Sequence, residues 1–467
     1  MTWRESVRPV RMQRVALVAP HDAVRATLVA VADAGVVEVE ETSAEELPTA
    51  AAAALQGLRL GAEVAPVLSP EPPDLEALAA EGRADLLAGE AELQHQARQA
   101  ITRGRVAALV GWCPDVSLDV LTDRVTAAGG VVVPLPAPRG LDPPTLLRTG
   151  GDVQRSFAPL VQTYATVPYV DADPTLLAGL AYVVMFGMMF GDAGQGLLLV
   201  GVGLLLRAGR PHTYARFQRI WPFVTAAGAS ATLFGVLYGE FFGPTGVLEP
   251  LWLDPLEQPV QLLVAAIGLG AVLLSLAYAL GIVNRWREGG LRRALYAPSG
   301  IAGAALFLGL GLFAGGLYWG QDLLVAAGAL VGLTGLALAA VGLYVASPGG
   351  GAGVSQSVVE LFDLVIRLLT NVVSFARLAA FGLAHAALNA MVWDAATALA
   401  GSGPLGWLGA AAVFVAGNAV TFTLELLVAG IQALRLEYYE LFSRVFDLEG
   451  RPFRPWHVPV VSREALR

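Results

Sequence analysis

The chain has 467 residues, 55% of them hydrophobic and only 15% charged, with a mean hydropathy of +0.60. A formal net charge of −9 argues against nucleic acid as a partner, and a single cysteine, Cys113, excludes an internal disulfide. All 30 basic residues are arginine, a bias of the kind a GC-rich bacterial genome produces. The apolar excess begins after residue 174, so two regions are expected: a small α/β arm over residues 1–165 and a multi-pass, all-α membrane domain over 166–467.

Met1–Arg14 is basic and is not followed by an apolar core with a cleavage site, so the first segment is expected to stay in the cytoplasm. Val15–Ala19 reads as a strand. An amphipathic helix follows from Asp22 to about Ala34, stopped by Gly35, and then an alternating strand over Val36–Glu40. Ala50–Arg103 is rich in Ala, Leu and Glu and is interrupted at Pro70–Pro73, which predicts two helices. Ala107–Trp112 reads as a strand, Val116–Ala128 as a helix, Val131–Pro134 as a last strand and Pro136–Pro144 as a linker. The arm is thus expected to be an α/β lobe with a helical insertion. It holds no phosphate loop, nucleophile triad or metal-ligand spacing.

Hydropathy and breakers predict eight spans. Thr175–Phe190 and Ala193–Leu206 are short and meet at Gly191-Asp192. Phe217–Phe242, Val260–Val283, Ser299–Trp319 and Leu323–Val345 follow. The last two, Ser355–Leu399 and Leu405–Phe446, are too long for one upright crossing. At about 1.5 Å per residue each approaches ~60 Å against a hydrocarbon layer of ~30 Å, so strong tilt or projection into water is expected. Arg207, Arg210, Arg216 and Arg219 fall in one loop, and Arg285, Arg287, Arg292 and Arg293 in another. Arg444, Arg451 and Arg454 lie at or after the last span. The intervening loop over Pro244–Pro259 carries Glu249, Asp254 and Glu257 and no base. With eight spans all three basic regions share the side of the N-terminus, which places both termini in the cytoplasm.

Arg377 stands inside an apolar run. A guanidinium at bilayer depth costs at least about 2.5–3.5 kcal/mol, and its pKa above ~12 denies it the escape of neutralisation. On the seventh span Asp363, Arg367, Thr370, Ser374 and Arg377 recur at steps of three and four and share a face. His385 roughly continues that face, with Asn389 close by. On the eighth span Asn418, Thr421, Glu425, Gln432, Arg435 and Tyr439 do the same. Two such stripes can line a wet path, or they can pair as structural glue between helices. Asp192 and Glu240 are either loop-end groups near the interface or further path-lining residues. The chemistry narrows to ion movement. A fixed positive charge cannot carry a proton, but it repels cations, blocks leaks and forces a passing carboxylate to ionise. Asp363, Glu425 and His385 can accept or hand over ions on either side of it.

These segments resemble a known family. Ser374-Phe375-Ala376-Arg377-Leu378-Ala379-Ala380-Phe381-Gly382-Leu383-Ala384-His385 is similar to the essential-arginine segment of subunit a (subunit I in prokaryotes) of the vacuolar/archaeal-type rotary ATPases. Ile431–Glu440 is similar to its second-arginine segment, and Phe186–Gly196 to the hallmark of its first two spans. Asp173-Pro174-Thr175, Phe234–Glu240, Val445–Phe453 and Gly111-Trp112-Cys113-Pro114 fit as well, so the likeness runs through nearly the whole chain.

The resemblance implies a non-catalytic stator beside a ring of proteolipid rotor subunits, each carrying a carboxylate that binds one H⁺ or Na⁺. It implies no cofactor. The implied partners are the rotor ring, peripheral-stalk subunits, the central-stalk subunit that caps the ring, and the bilayer of a prokaryotic cell membrane. Arg377, with Arg435 nearby, is expected to face the rotor carboxylate between two offset half-channels. Glu425 matches the family's channel carboxylate, and Asp363 stands where the family often has glutamate. His385, Ser374, Gln432, Asn418 and Asn389 complete the expected ion path. Arg367 departs from the neutral polar residue of some relatives. The arm departs further, because the residues between Glu40 and Ala107 are too few for the second lobe that family members carry. The competing class, a stand-alone secondary transporter, calls for discontinuous helices in repeated halves, and no internal repeat is evident.

Overall fold

The computed structural model describes residues 8–40, 49–58, 64–138, 141–148, 150–209, 217–401, 403–446 and 450–461. Arg210 and Arg216 of the first basic loop, and Asp447, Leu448 and Glu449 of the C-terminal motif, lie outside these. The chain divides into two compact units. One comprises residues 9–147 together with 450–467, the other residues 1–8 together with 148–449.

The first unit is built on an antiparallel sheet. Its strands are β1 (Met12–Pro20), β2 (Glu38–Val39), β3 (Ile101–Arg103), β4 (Val106–Pro114) and β5 (Val131–Leu135). The order is β2-β4-β1-β5, and β3 also pairs with β4. The β1–β4 register runs from Met12 opposite Pro114 to Pro20 opposite Val106. Alternation then sends Val15, Leu17, Leu109 and Cys113 into one core, as a two-residue side-chain period requires. Helices α1 (Val24–Ala34) and α5 (Leu118–Ala127) cover that face through Leu28, Val31, Leu121 and Val125. The insertion differs from the two helices expected. Among the described residues it forms three short ones, α2 (Ala50–Gly57), α3 (Leu75–Glu81) and α4 (Ala84–Arg98), and its end is the strand β3 rather than helix. Asp74 caps α3 by accepting from the Glu76 and Ala77 amides, and Gly82 ends it in the left-handed region, so the apparent second helix is two.

Residues 450–461 belong to this unit although they follow the last long helix. Trp456 and Val458 enter its core. The Trp456 amide donates to Val37 O (2.8 Å), the Leu68 amide to Pro459 O (2.8 Å) and the Val461 amide back to Leu68 O (2.9 Å). Arg451 pairs with Glu38 at 2.8 Å, and the Arg454 amide donates to the same carboxylate at 2.7 Å.

The second unit is helical. After α6 (Asp152–Tyr164) come α7 (Thr175–Met189), α8 (Ala193–Arg207), α9 (Trp221–Tyr238), α10 (Pro259–Tyr296), α11 (Ile301–Trp319), α12 (Asp322–Ala346), α13 (Gly350–Ser374), α14 (Ala376–Ala400), α15 (Pro404–Leu436) and α16 (Phe442–Val445). Among the described residues five helical stretches are long and apolar enough to cross a membrane: Phe217–Tyr238, Pro259–Tyr296, Ile301–Trp319, Asp322–Ala346 and Pro404–Val445. The helices Thr175–Met189 and Ala193–Arg207 are apolar but shorter. This is the make-up of a membrane protein.

The sequence reads Ser355–Leu399 as one span, whereas the structure breaks it between α13 and α14. The Phe375 ring is fully buried against Gly270, where an added Cβ would stand 2.2 Å from the ring. Its amide bonds to Val372 O and its carbonyl receives the Leu378 amide, both i→i+3 bonds that tighten the chain into a turn. Arg377 therefore sits at the start of a helix and not in the middle of one. The last span runs on from α15 through a π-helical turn, Glu437–Leu441, into α16.

Candidate functional site

α7 and α8 meet at Asp192. Its fully buried carboxylate caps α8 by accepting from the Gln195 amide (2.9 Å), and it also accepts from the Phe242 (3.0 Å) and Gly243 (2.9 Å) amides beyond α9. Phe242 has φ 53, a left-handed backbone that a non-glycine residue holds only when its surroundings enforce it. Gly235 permits this approach, since a Cβ there would lie 2.0 Å from the Ala193 nitrogen.

α14 and α15 pack against this corner. His385 Nδ1 meets a Glu425 carboxylate oxygen in a very short contact, and Asn389 Nδ2 meets His385 Nε2 at 3.0 Å. Asn389 Nδ2 also donates to Asp192 Oδ2 (3.4 Å), while Gln195 Nε2 donates to Asn389 Oδ1 (3.4 Å) and Asn418 Oδ1 (3.3 Å). Glu240 lies beside them, 5% exposed. The result is a buried chain of titratable and amide groups running from Asp192 to Glu425, roofed by the Phe190 ring 5.1 Å from that of His385. Asp192, Glu240 and His385 offer ligand atoms within 4.8 Å of one another. Asp192 is already held by three backbone amides, and both His385 nitrogens are engaged. The group therefore suits hydrogen-bonded transfer better than a metal seat.

Eight residues before His385, about 12 Å along α14, the Arg377 guanidinium donates to Ser374 Oγ (2.5 Å) and to Glu440 Oε1 (3.1 Å). Glu440 is 3% exposed, whereas the Arg377 side chain is 28% exposed. Both line an open groove of about 670 Å³ with Thr370, Ser374, Arg435 and Tyr439. The π turn brings Glu437 and Glu440 into the interior. On either side of the groove the surface is apolar and exposed, with Phe362, Val373, Leu424, Leu427 and Ile431 each about half to two-thirds open.

The structure thus gathers the expected residues into two places. His385, Asn389, Asn418 and Glu425 are joined with Asp192 and Glu240. Arg377, Ser374 and Arg435 share the groove. Gln432 is half-buried one turn before Arg435. Asp363 is not brought to Arg377: it pairs with Arg367 at 2.7 Å on the exposed face of α13. Two participants are additional. Gln195 lies in a segment already singled out, and its step of three from the helix-capping Asp192 is the available signal. Glu440 lies in a Glu-Tyr-Tyr-Glu run that reads as a helix end.

A further charged group lies just before α7. Asp171 and Arg285 are fully buried 3.9 Å apart, Arg285 contacts Glu288 at 2.5 Å, and Arg293 reaches Glu288 at 3.1 Å. Burial, with Glu288 adding, holds the Asp171 carboxyl above its ordinary value, and Arg285 opposes that rise. Asn284 ties the same corner down, accepting from the Ala172 amide (3.0 Å) and donating to Val445 O (3.3 Å).

Comparison with known proteins adds independent findings. Residues 100–245 match the V-type ATPase 116kDa subunit family. The chain is 27% identical over 363 residues to the A-type ATP synthase subunit I of Pyrococcus horikoshii, covering 74% of this chain and 53% of that protein. It is 27% identical over 444 residues to the A-type ATP synthase subunit I of Halobacterium salinarum, covering 74% and 60%. It is 32% identical over 239 residues to the V-type ATP synthase subunit I 2 of Treponema pallidum, covering 44% and 51%. The chain spans a little over half the length of the curated relatives it matches.

Proposed function

We propose that this chain, which resembles the V-type ATPase 116kDa subunit family over residues 100–245 and A- and V-type ATP synthase subunits I more widely, is the stator of a rotary ATPase, carrying H⁺ or Na⁺ to and from carboxylates on a rotor ring. In this reading Arg377, supported by Arg435 in the groove, meets each rotor carboxylate as it passes. At ~4 Å and an effective dielectric of ~20 the attraction is about 4 kcal/mol, enough to hold that carboxylate ionised and release its ion. His385, Glu425, Asn389, Asn418, Asp192 and Glu240 form one half-path. Ser374, Gln432 and Asp363, with the exposed Asp363–Arg367 pair, flank the other. Nucleotide chemistry belongs to other subunits, and this chain contributes none.

The observation that carries the proposal is the pairing of an open arginine groove, set in exposed apolar surface, with a buried acid–imidazole chain about 12 Å further along the same helix. Such a face is what a ring of apolar helices bearing one carboxylate each would cover. We take eight spans with both termini cytoplasmic as the working topology, and residues 1–165 as the arm that meets the peripheral stalk. We read the short helical insertion as offering a single stalk attachment there. The test is ATP-driven ion uptake into vesicles by the purified complex. Arg377→Lys is expected to abolish uptake while the complex still assembles, because lysine lacks the planar fork and can lose its proton in a dry site. Uptake at the wild-type rate would refute the proposal.

A further inference from the structure

Where α10 reaches the end of its apolar stretch it bends. Gly289 (φ −146, ψ 20) and Gly290 (φ 67, ψ −161) leave helical geometry, and the positive φ of Gly290 is open to glycine without steric cost. The bend lays Leu291–Tyr296 beside the C-terminal end of α12. Between them runs a groove of about 560 Å³ lined by Arg292, Arg293, Tyr296, Val341, Gly342 and Val345. At its floor the two helices nearly touch, since a Cβ on Gly342 would stand 2.4 Å from Tyr296 O.

Three features identify the occupant. First, the walls are apolar and outward-facing, with Val341 49% and Val345 59% exposed. Second, Trp286 (58% exposed) and Tyr344 (45%) stand on the outer surface nearby, and aromatic residues at the end of apolar helices mark the membrane–water boundary. Third, the rim is positive. Arg292 and Arg293 line the groove, and the one acid beside them, Glu288, is already engaged by Arg293 and by the buried Arg285. Among the described residues Arg292 has no ion pair. A basic rim over apolar walls at the boundary fits an amphiphile of negative head and hydrocarbon tail. A soluble anion would leave the walls wetted, and a zwitterionic head would leave the positive charge unmatched.

We propose that this groove binds an anionic phospholipid of the bilayer, its phosphate on Arg292 and Arg293 and an acyl chain along Val345 and Val341. The proposal rests on the chain being a membrane protein and is independent of the ion-path reading.

The test is native mass spectrometry of the full chain, or the complex that holds it, equilibrated in detergent with equal amounts of phosphatidylglycerol and phosphatidylcholine. A basic residue at the boundary is worth about a five-fold preference. Wild-type protein is expected to retain phosphatidylglycerol in clear excess, Arg292→Gln to cut that excess about five-fold, and Arg292→Lys to keep it. Arg219→Gln, which removes an exposed arginine from a different loop, is expected to change nothing. Equal retention of the two lipids by wild type, or equal loss in Arg292→Gln and Arg219→Gln, would overturn the proposal. So would displacement of the lipid by excess inorganic phosphate, which would make this a site for a soluble anion. Arg377→Lys should retain the lipid, so lipid binding and ion transport are read out separately.

Discussion

The Arg377 guanidinium donates to Glu440 across the gap between the start of α14 and the π turn after α15, at 3.1 Å, with the acid buried and the base half-open to the groove. The arginine is thus already paired within its own chain, and in the proposed function a carboxylate arriving from a rotor would compete with Glu440. On that proposal the competition would tune how firmly the visitor is held.

Glu440→Gln should therefore slow ion transport by making release harder. A hydrogen bond to a charged group is worth about 1.5–3 kcal/mol, so a change on the order of tenfold in the rate of ion uptake by vesicles is expected, with assembly preserved. Uptake at the wild-type rate would mean that Glu440 only buttresses the helix end.

At Glu425, substitution by Leu should impair transport far more than substitution by Gln. The amide keeps a polar partner for His385 and room for water, whereas the alkyl chain leaves a buried imidazole unmatched, at about 1–3 kcal/mol, and dries the path. Equal and near-normal transport in both variants would remove Glu425 from the path.

Cys113 should be silent to thiol reagents. It is fully buried, and burial pushes its thiol up to about 12, so the reactive thiolate is scarce throughout the working range and becomes accessible only on unfolding. Alkylation followed by intact-mass measurement is expected to show no adduct on the native protein even at about pH 9, and one adduct after denaturation. Modification of native protein would contradict this placement of β4.

That silence makes topology measurable. Single cysteines replacing Glu249 should react with an impermeant maleimide from outside the cell. Those replacing Arg219 or Arg287 should react only after the membrane is opened. The reverse pattern would refute the eight-span arrangement.

Trp456→Ala should destabilise the sheet-containing unit by about 3–5 kcal/mol, the usual loss for a large buried aromatic. Hydrogen exchange at β1 and β4 reports this directly. Unchanged protection of those strands would show that the Trp456 side chain contributes little to the core.

Much of this is legible from residue types alone. An ionisable group in an apolar run is conspicuous because burial penalises it, which is how Arg377, His385 and Glu425 stand out. Val15–Ala19, a short apolar run, and Val36–Glu40, an alternating one, both contain strands, whereas β3 falls in the stretch expected to be helical; α1 ends at Gly35 as expected. What residue types conceal has physical causes. Helical periodicity assumes 3.6 residues per turn, so a π turn that inserts one residue hides the inward aim of Glu440. The stripe linking Asp363 to Arg377 presumes an unbroken helix, and the burial of Phe375 against Gly270 interrupts it. The partners that fix Asp192 are backbone amides of a distant loop, which leave no trace in residue identity. The role of the tail is written as Trp456, Val458 and Val460 alternating with His457 and Pro459, a strand signal weak beside the stronger ones.

That tail sets a schedule. Trp456 and Val458 complete a core whose other members, from Val15 to Val132, are synthesised before any of the long apolar helices. The nascent sheet must wait, with Val37 O and Leu68 unpaired, while residues 175–445 are threaded into the bilayer. Its closure is a long-range contact made last. Only a chain translated through its final membrane helix can seal the unit that was made first, so a ribosome that stalls within the spans leaves an open core as the mark of an unfinished molecule.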